Sequence, residues 1–202
     1  MWAMLRLLGL AAADVVLQDC SKAYRFESVD VFRQPRRDFF VAQEAKATFA
    51  NLREKVAGSI IVPSAHHLYI GRRRRTIEMS GYRSLANEPE LMERLITMGY
   101  SPIDPECIGP EEQIELFGSE RRIVVLGGAG LFNAVFCKPG TRIIDIESTH
   151  NHIENHSTVL SSMDLDYGVI LGQVDQSDPA SHNKRWTVDV ERATAAIAEF
   201  MS

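Results

Sequence analysis

Cysteine is scarce in this chain: three residues in 202, at positions 20, 107 and 137, with no CxxC pair among them. That excludes a disulfide scaffold and a thiolate zinc cluster, and it reads as reduced thiols in a cytoplasmic protein. No apolar run approaches the ~20 residues needed to span a bilayer. The apolar opening, residues 1–17, is broken by Arg6 and closed by Asp14, so it predicts a helix packed in a core rather than a transmembrane anchor. Excess positive charge is also missing. A net charge of −5 argues against non-specific nucleic-acid binding despite four consecutive arginines at 72–75. GxGxxG, the P-loop lysine pattern, HExxH and GxSxG are all absent. Nicotinamide, ATPase, zincin and α/β-hydrolase readings therefore fail on spacing. Internal repeats and low-complexity tracts are lacking too. At 202 residues with 45% hydrophobic and 24% charged composition, the chain can bury roughly 70% of its unfolded surface without staples.

The most informative stretch present is 121–146, RRIVVLGGAGLFNAVFCKPGTRIIDI. It predicts a buried β-branched strand, a glycine turn, a helix that begins at once on LFNAVF, and a second buried strand. GGAG carries almost no side chain to keep a ligand from the backbone. A helix opening there presents free N–H groups and its positive dipole end, a place to hold phosphate.

Elsewhere the pattern predicts helices over 5–13, 42–56, 88–98, 110–117, 156–163 and 189–200. It predicts strands over 15–17, 24–32, 67–70, 102–104 and 167–171, with a long basic loop at 71–87. Alternating strands and helices mean an α/β fold with a parallel sheet flanked by helices. Ligands in such sheets sit beyond the carboxyl ends of the strands, where both the basic loop and the glycine turn should lie. Gly58 to Pro63 is the expected boundary, giving a unit at 1–62 and a second at 63–202.

Guanidinium forks match phosphate oxygens and stay charged at any working pH, so Arg72, Arg73 and Arg83 are candidate phosphate ligands. The same run can equally be a solvated charged face. Asn87 can cap the helix that follows and Glu88 can favour its first turn. Asn133 stands one turn into the helix after GGAG, facing a ligand or solvent. His150, His152 and His156 invite a metal reading, but the start of that stretch is loop-like, and the expectation is no metal. His66–His67 and His182 read as structural.

In order and spacing these pieces resemble the carboxyl-terminal part of glycosyltransferase family 61, the DUF563 group, over about residues 68–200. The resemblance rests on Arg72–Arg73, then Arg83, Asn87–Glu88, Glu112–Gln113–Ile114, Gly127 to Asn133, Phe136, Pro139–Gly140 and Asp145. It implies the Rossmann-like, nucleotide-sugar-binding half of a GT-B enzyme of bacterial type, inverting and metal-independent, with no cofactor beyond the donor substrate. It implies that Arg72, Arg73, Arg83 and the turn Gly127, Gly128, Ala129 and Gly130 hold the donor diphosphate. Asn133, Asn87, Glu88, Gln113 and Asp145 are further candidates around donor sugar or ribose. The implied activity is sugar transfer to a glycan acceptor in surface or capsular polysaccharide synthesis. Two departures stand out: the family's histidine before Gly-Ala-Gly is Gly127 here, and its threonine before Asn is Phe132. Residues 1–62 are too few for a complete first Rossmann domain and are expected to be a remnant plus connecting helix. The alternative is a non-catalytic transferase half that binds nucleotide, or a homodimer or partner subunit supplying what is missing.

Overall fold

Parallel strands need crossovers, and the sequence supplies a helix after almost every β-branched run. The computed structural model describes residues 2–16, 19–28, 36–37, 40–58, 67–72, 84–148, 153–180 and 184–202. Before the main sheet come α1 (Trp2–Leu7), an antiparallel pair of short strands, β1 (Arg36–Arg37) and β2 (Phe40–Val41), and α2 (Gln43–Val56). Then follow β3 (Leu68–Ile70), α3 (Glu88–Thr97), β4 (Ser101–Ile103), α4 (Pro110–Ser119), β5 (Arg122–Leu126), a 3-10 helix at Ala129–Phe136, and β6 (Arg142–Glu147). The chain continues with α5 (Ile153–Ser162), β7 (Asp166–Leu171), a short antiparallel pair, β8 (Gln173–Val174) and β9 (Trp186–Thr187), and α6 (Val190–Met201).

The five-stranded sheet has the order β4-β3-β5-β6-β7, every pair parallel. Ile123 stands opposite Leu68 on one side and Ile143 on the other. Side chains alternate between two covered faces. One carries Leu68, Ile70, Ile123, Val125 and Ile143 against Ile114 and Phe117 of α4, Leu131 and Phe136 of the 3-10 helix, and Leu160 of α5. The other carries Tyr69, Val124, Leu126, Ile144 and Ile146 against Leu91 and Leu95 of α3 and Ala193 and Ile197 of α6. The amino-terminal α2 joins the first core through Leu52 and Val56. Phe49 packs edge-on to Phe136 at 5.7 Å, and Arg53 Nη1 donates to the Phe136 and Cys137 carbonyls at 3.3 and 3.0 Å.

This strand order places a crevice at one edge of the sheet. After β3 the chain crosses through α3 on one face to β4, then returns through α4 on the other face to β5. The direction of winding therefore reverses between β3 and β5. Beyond the carboxyl ends of strands at such a reversal, helices leave on opposite faces and open a crevice.

The helices and strands from 88 onward agree with the sequence expectation to within a few residues. The helix expected over 5–13 ends at Leu7, with Gly9 at φ +85° just beyond it, and other segments differ too. The helix after the glycine turn begins at Ala129, two residues early, and is 3-10 rather than α. Residues 15–16 and 24–28 are not strand; with Val16 75% and Phe26 64% exposed, their alternation has no sheet to lie against. Residues 17 and 29–32 of those expected strands lie outside the described residues, as do His66, Arg73, Arg83, His150, His152 and His182. No helix among the described residues is long and apolar enough to cross a membrane.

Candidate functional site

Two strand ends meet at the reversal. Past β3, Gly71 and Arg72 turn away from the sheet. Past β5, Gly127 and Gly128 open the 3-10 helix, and a Cβ at Gly130 would touch Ile70 at 3.3 Å, so the turn rests on the end of β3. Gly128 has φ +115°, a backbone region that side chains disfavour. The Arg72 guanidinium lies against its bare α-carbon, in the volume any Cβ would take. The sequence-predicted cation and the sequence-predicted glycine turn are thus brought together across fifty-odd residues of chain.

The backbone donors of the turn divide. Gly127 N–H is already used, donating to the Ile146 carbonyl at 3.1 Å. Gly128, Ala129 and Gly130 precede the first bond of the helix, from Leu131 N–H to the Gly128 carbonyl at 3.0 Å, and have no intrahelical acceptor. Asn133 is half-buried on the same helix, and its amide bonds to no described residue.

Glu88 sets the height of Arg72. Its buried Oε1 accepts from Arg72 N–H at 2.9 Å and from the Tyr69 hydroxyl at 3.3 Å. It also fills the space beside Gly71, where a Cβ would come within 2.6 Å of that oxygen. Burial, and then the Glu88 carboxylate, hold the Tyr69 phenol far above its ordinary pKa, so it stays a donor to Glu88 at any working pH. The neighbouring candidates are tied into the frame. Asn87 makes no side-chain cap; its amide pairs with the backbone of Val188, donating to the carbonyl at 2.7 Å and accepting from N–H at 3.2 Å. Gln113 donates to the Pro105 and Ile108 carbonyls at 2.7 and 3.1 Å. His67 lies at the other edge of the sheet, its ring 5.2 Å from Tyr100.

Beneath the turn lies a group the motif reading did not assemble. Asp145 and Glu147 are two apart on β6 and so share a face, while α5 brings His156 against them; all three are buried. Asp145 Oδ2 accepts from His156 Nδ1 at 2.8 Å and from the Tyr167 hydroxyl at 2.9 Å. Burial first, and the Asp145 charge second, push the Tyr167 phenol well up. The Phe132 ring stands edge-on to His156 at 5.6 Å. The carboxylate of Glu147 fills the space beside the Gly127 α-carbon, so no side chain fits there. The signal was an acidic pair at alternate positions of a strand end, hidden inside an otherwise apolar run.

A sequence model of the Glycosyltransferase 61 family matches residues 5–144. The matched span takes in the end of α1 and all of α2 as well as both strand ends that build the site, and it stops within β6. No curated protein matches the chain.

Proposed function

The chain belongs to the glycosyltransferase 61 family, and from that premise we propose that it moves a sugar from a nucleotide-sugar donor to a glycan acceptor in surface or capsular polysaccharide synthesis, in the cytoplasm. The donor diphosphate sits where Arg72 meets the glycine turn. The observation that carries this reading is the Arg72 guanidinium packed on Gly128 at the winding reversal of the sheet.

Negative charge grows on the nucleoside diphosphate as the glycosidic bond to the sugar breaks. A fixed guanidinium and N–H groups of Gly128, Ala129 and Gly130 stabilise that charge with little reorganisation. Arg73 and Arg83, from the same basic loop, add to it, and no metal need bridge the phosphates. Glu88 acts through Arg72, by fixing its backbone. Asn133 offers a donor and an acceptor to sugar or ribose hydroxyls. Inverting transfer also needs a base on the acceptor hydroxyl. In a two-domain cleft that base comes from across the gap, residues 1–62 being the remnant and connecting helix and 63–202 the donor-binding unit.

Calorimetric titration with UDP, GDP and CMP, with and without magnesium, tests the reading. One nucleotide should bind without metal. Arg72→Ala and Arg83→Ala should each weaken it by about 1.5–3 kcal/mol, the value of a charge-assisted hydrogen bond. Unchanged affinity in both folded variants removes the basic loop from the site. A second reading, a half that binds donor without turning it over, is favoured by Gly127, where the Glu147 carboxylate stands in place of a side chain. Nucleotide binding with no sugar released or transferred would select it.

A further inference from the structure

We propose that Asp145, Glu147 and His156 hold one divalent cation of the manganese or zinc class, a structural ion beneath the glycine turn. The proposal stands apart from the transfer reading and needs no donor. Each of the three residues offers one ligand atom, and these atoms lie within 4.8 Å of one another. Around an ion with bonds of about 2.0–2.2 Å, ligand atoms stand roughly 3–4.4 Å apart, so a small inward closure brings all three onto the ion and an ordered water fills the remaining position.

Electrostatics supplies the motive. Asp145, Glu147 and His156 are 0%, 2% and 4% exposed. Two carboxylates buried this close repel each other, and His156, paired with Asp145 at 2.8 Å, is the one basic member of the three. Asp145 gives the independent sign. Its Oδ2 accepts from His156 and Tyr167, while Oδ1 is buried with no donor among the described residues. A fully buried carboxylate oxygen without a partner marks the place of an ion or an ordered water.

The donor set narrows the ion. One imidazole nitrogen with two carboxylates suits manganese or zinc better than calcium or magnesium, which prefer all-oxygen shells, and offers no thiolate for copper(I). Loading needs the His156 ligand nitrogen free of its proton, which is held on the other ring nitrogen or released to solvent as the cation enters. The Tyr167 hydroxyl keeps Asp145 oriented from outside, and the Phe132 ring edge closes the side towards the 3-10 helix. Held by these three side chains, the ion pins α5 to β6 and neutralises the carboxylates under a turn that would receive an anion.

The test uses the full 202-residue chain, stripped with chelator and titrated with manganese, zinc and magnesium chlorides, with bound metal quantified after desalting. One equivalent of manganese or zinc per chain is expected, with a higher Tm on loading. Asp145→Asn and His156→Gln should weaken uptake by at least about 100-fold, more than the loss of an outer-shell contact produces. If Asp145→Asn does not fold, Glu147→Gln is read in its place. Substoichiometric uptake, uptake of magnesium alone, or stoichiometric binding that survives these substitutions overturns the proposal. Nucleotide affinity and its Arg72→Ala control are measured separately, so failure of either reading leaves the other standing.

Discussion

At the scale of single residues, two positions carry stability predictions that sequence pattern alone would not suggest. Gly127 reads as an ordinary turn glycine, yet its constraint is steric: a Cβ there collides with the Glu147 carboxylate. Gly127→Ala should therefore cost about 1–3 kcal/mol, the range for overpacking a filled site, seen as a lower midpoint in urea. An unchanged midpoint would mean that Glu147 moves aside freely. Glu120, at the end of α4, is buried, and burial raises its carboxyl from the ordinary 4.5 to about 7. The folded state thus favours the protonated form, so the stabilisation is complete at low pH and is lost as pH climbs from about 4.5 through 7. Glu120→Gln should gain on the wild type between pH 5 and pH 8, by on the order of 1 kcal/mol. Parallel pH profiles for the two proteins would refute this. The candidate phosphate ligands were legible one by one, because arginines and glycines are conspicuous. The Asp145–Glu147–His156 group was not, since its members come from a strand and a helix and only the fold brings them together.

At the scale of elements, periodicity served best where an element had a partner. The α6 helix is the plainest case: Asp189 precedes it, Val190, Ala193, Ile197 and Met201 are buried on one face, and Asp189 Oδ1 accepts from Arg192 N–H at 3.0 Å. Asp189→Ala should lower stability by about 1 kcal/mol, the usual worth of an N-cap; a loss within error would show that packing alone holds the helix end. The expectation failed at 15–16 and 24–28, where apolar alternation occurs with no strand beside it among the described residues. It failed in kind at Ala129–Phe136. There the eight residues form 3-10 helix in place of α-helix, a choice of winding that hydrophobic spacing does not report.

At the scale of the whole molecule, the alternation of strands and helices predicted a parallel sheet flanked by helices, and the sheet has that form. The strand order was not legible, because a hydrophobic run does not say which neighbour it will pair with. Yet the order makes Arg72 and Gly128 neighbours. The expected boundary near Gly58 to Pro63 also gains a physical aspect: α2 lies before it but buries Leu52 and Val56 in the same core as α4 and the 3-10 helix. Side chains so buried are worth about 1.5–3 kcal/mol each, a large share of the 5–15 kcal/mol typical of a whole domain. A chain reduced to 63–202 should therefore show a much lower thermal midpoint and bind a hydrophobic dye such as ANS. A midpoint equal to that of the full chain would make α2 dispensable to the fold.

The volume beside the Gly127 α-carbon, claimed by the Glu147 carboxylate, means that positions 127 and 147 behave as one locus. Scanned singly, each should look intolerant. Changed together, as Gly127→His with Glu147→Ala, the side chain can cross from one strand end to the other, and the pair should be better tolerated than the sum of its parts. Evolutionary drift through this site would then have to take both steps close together, and the order in which they came would decide whether the intermediate survived.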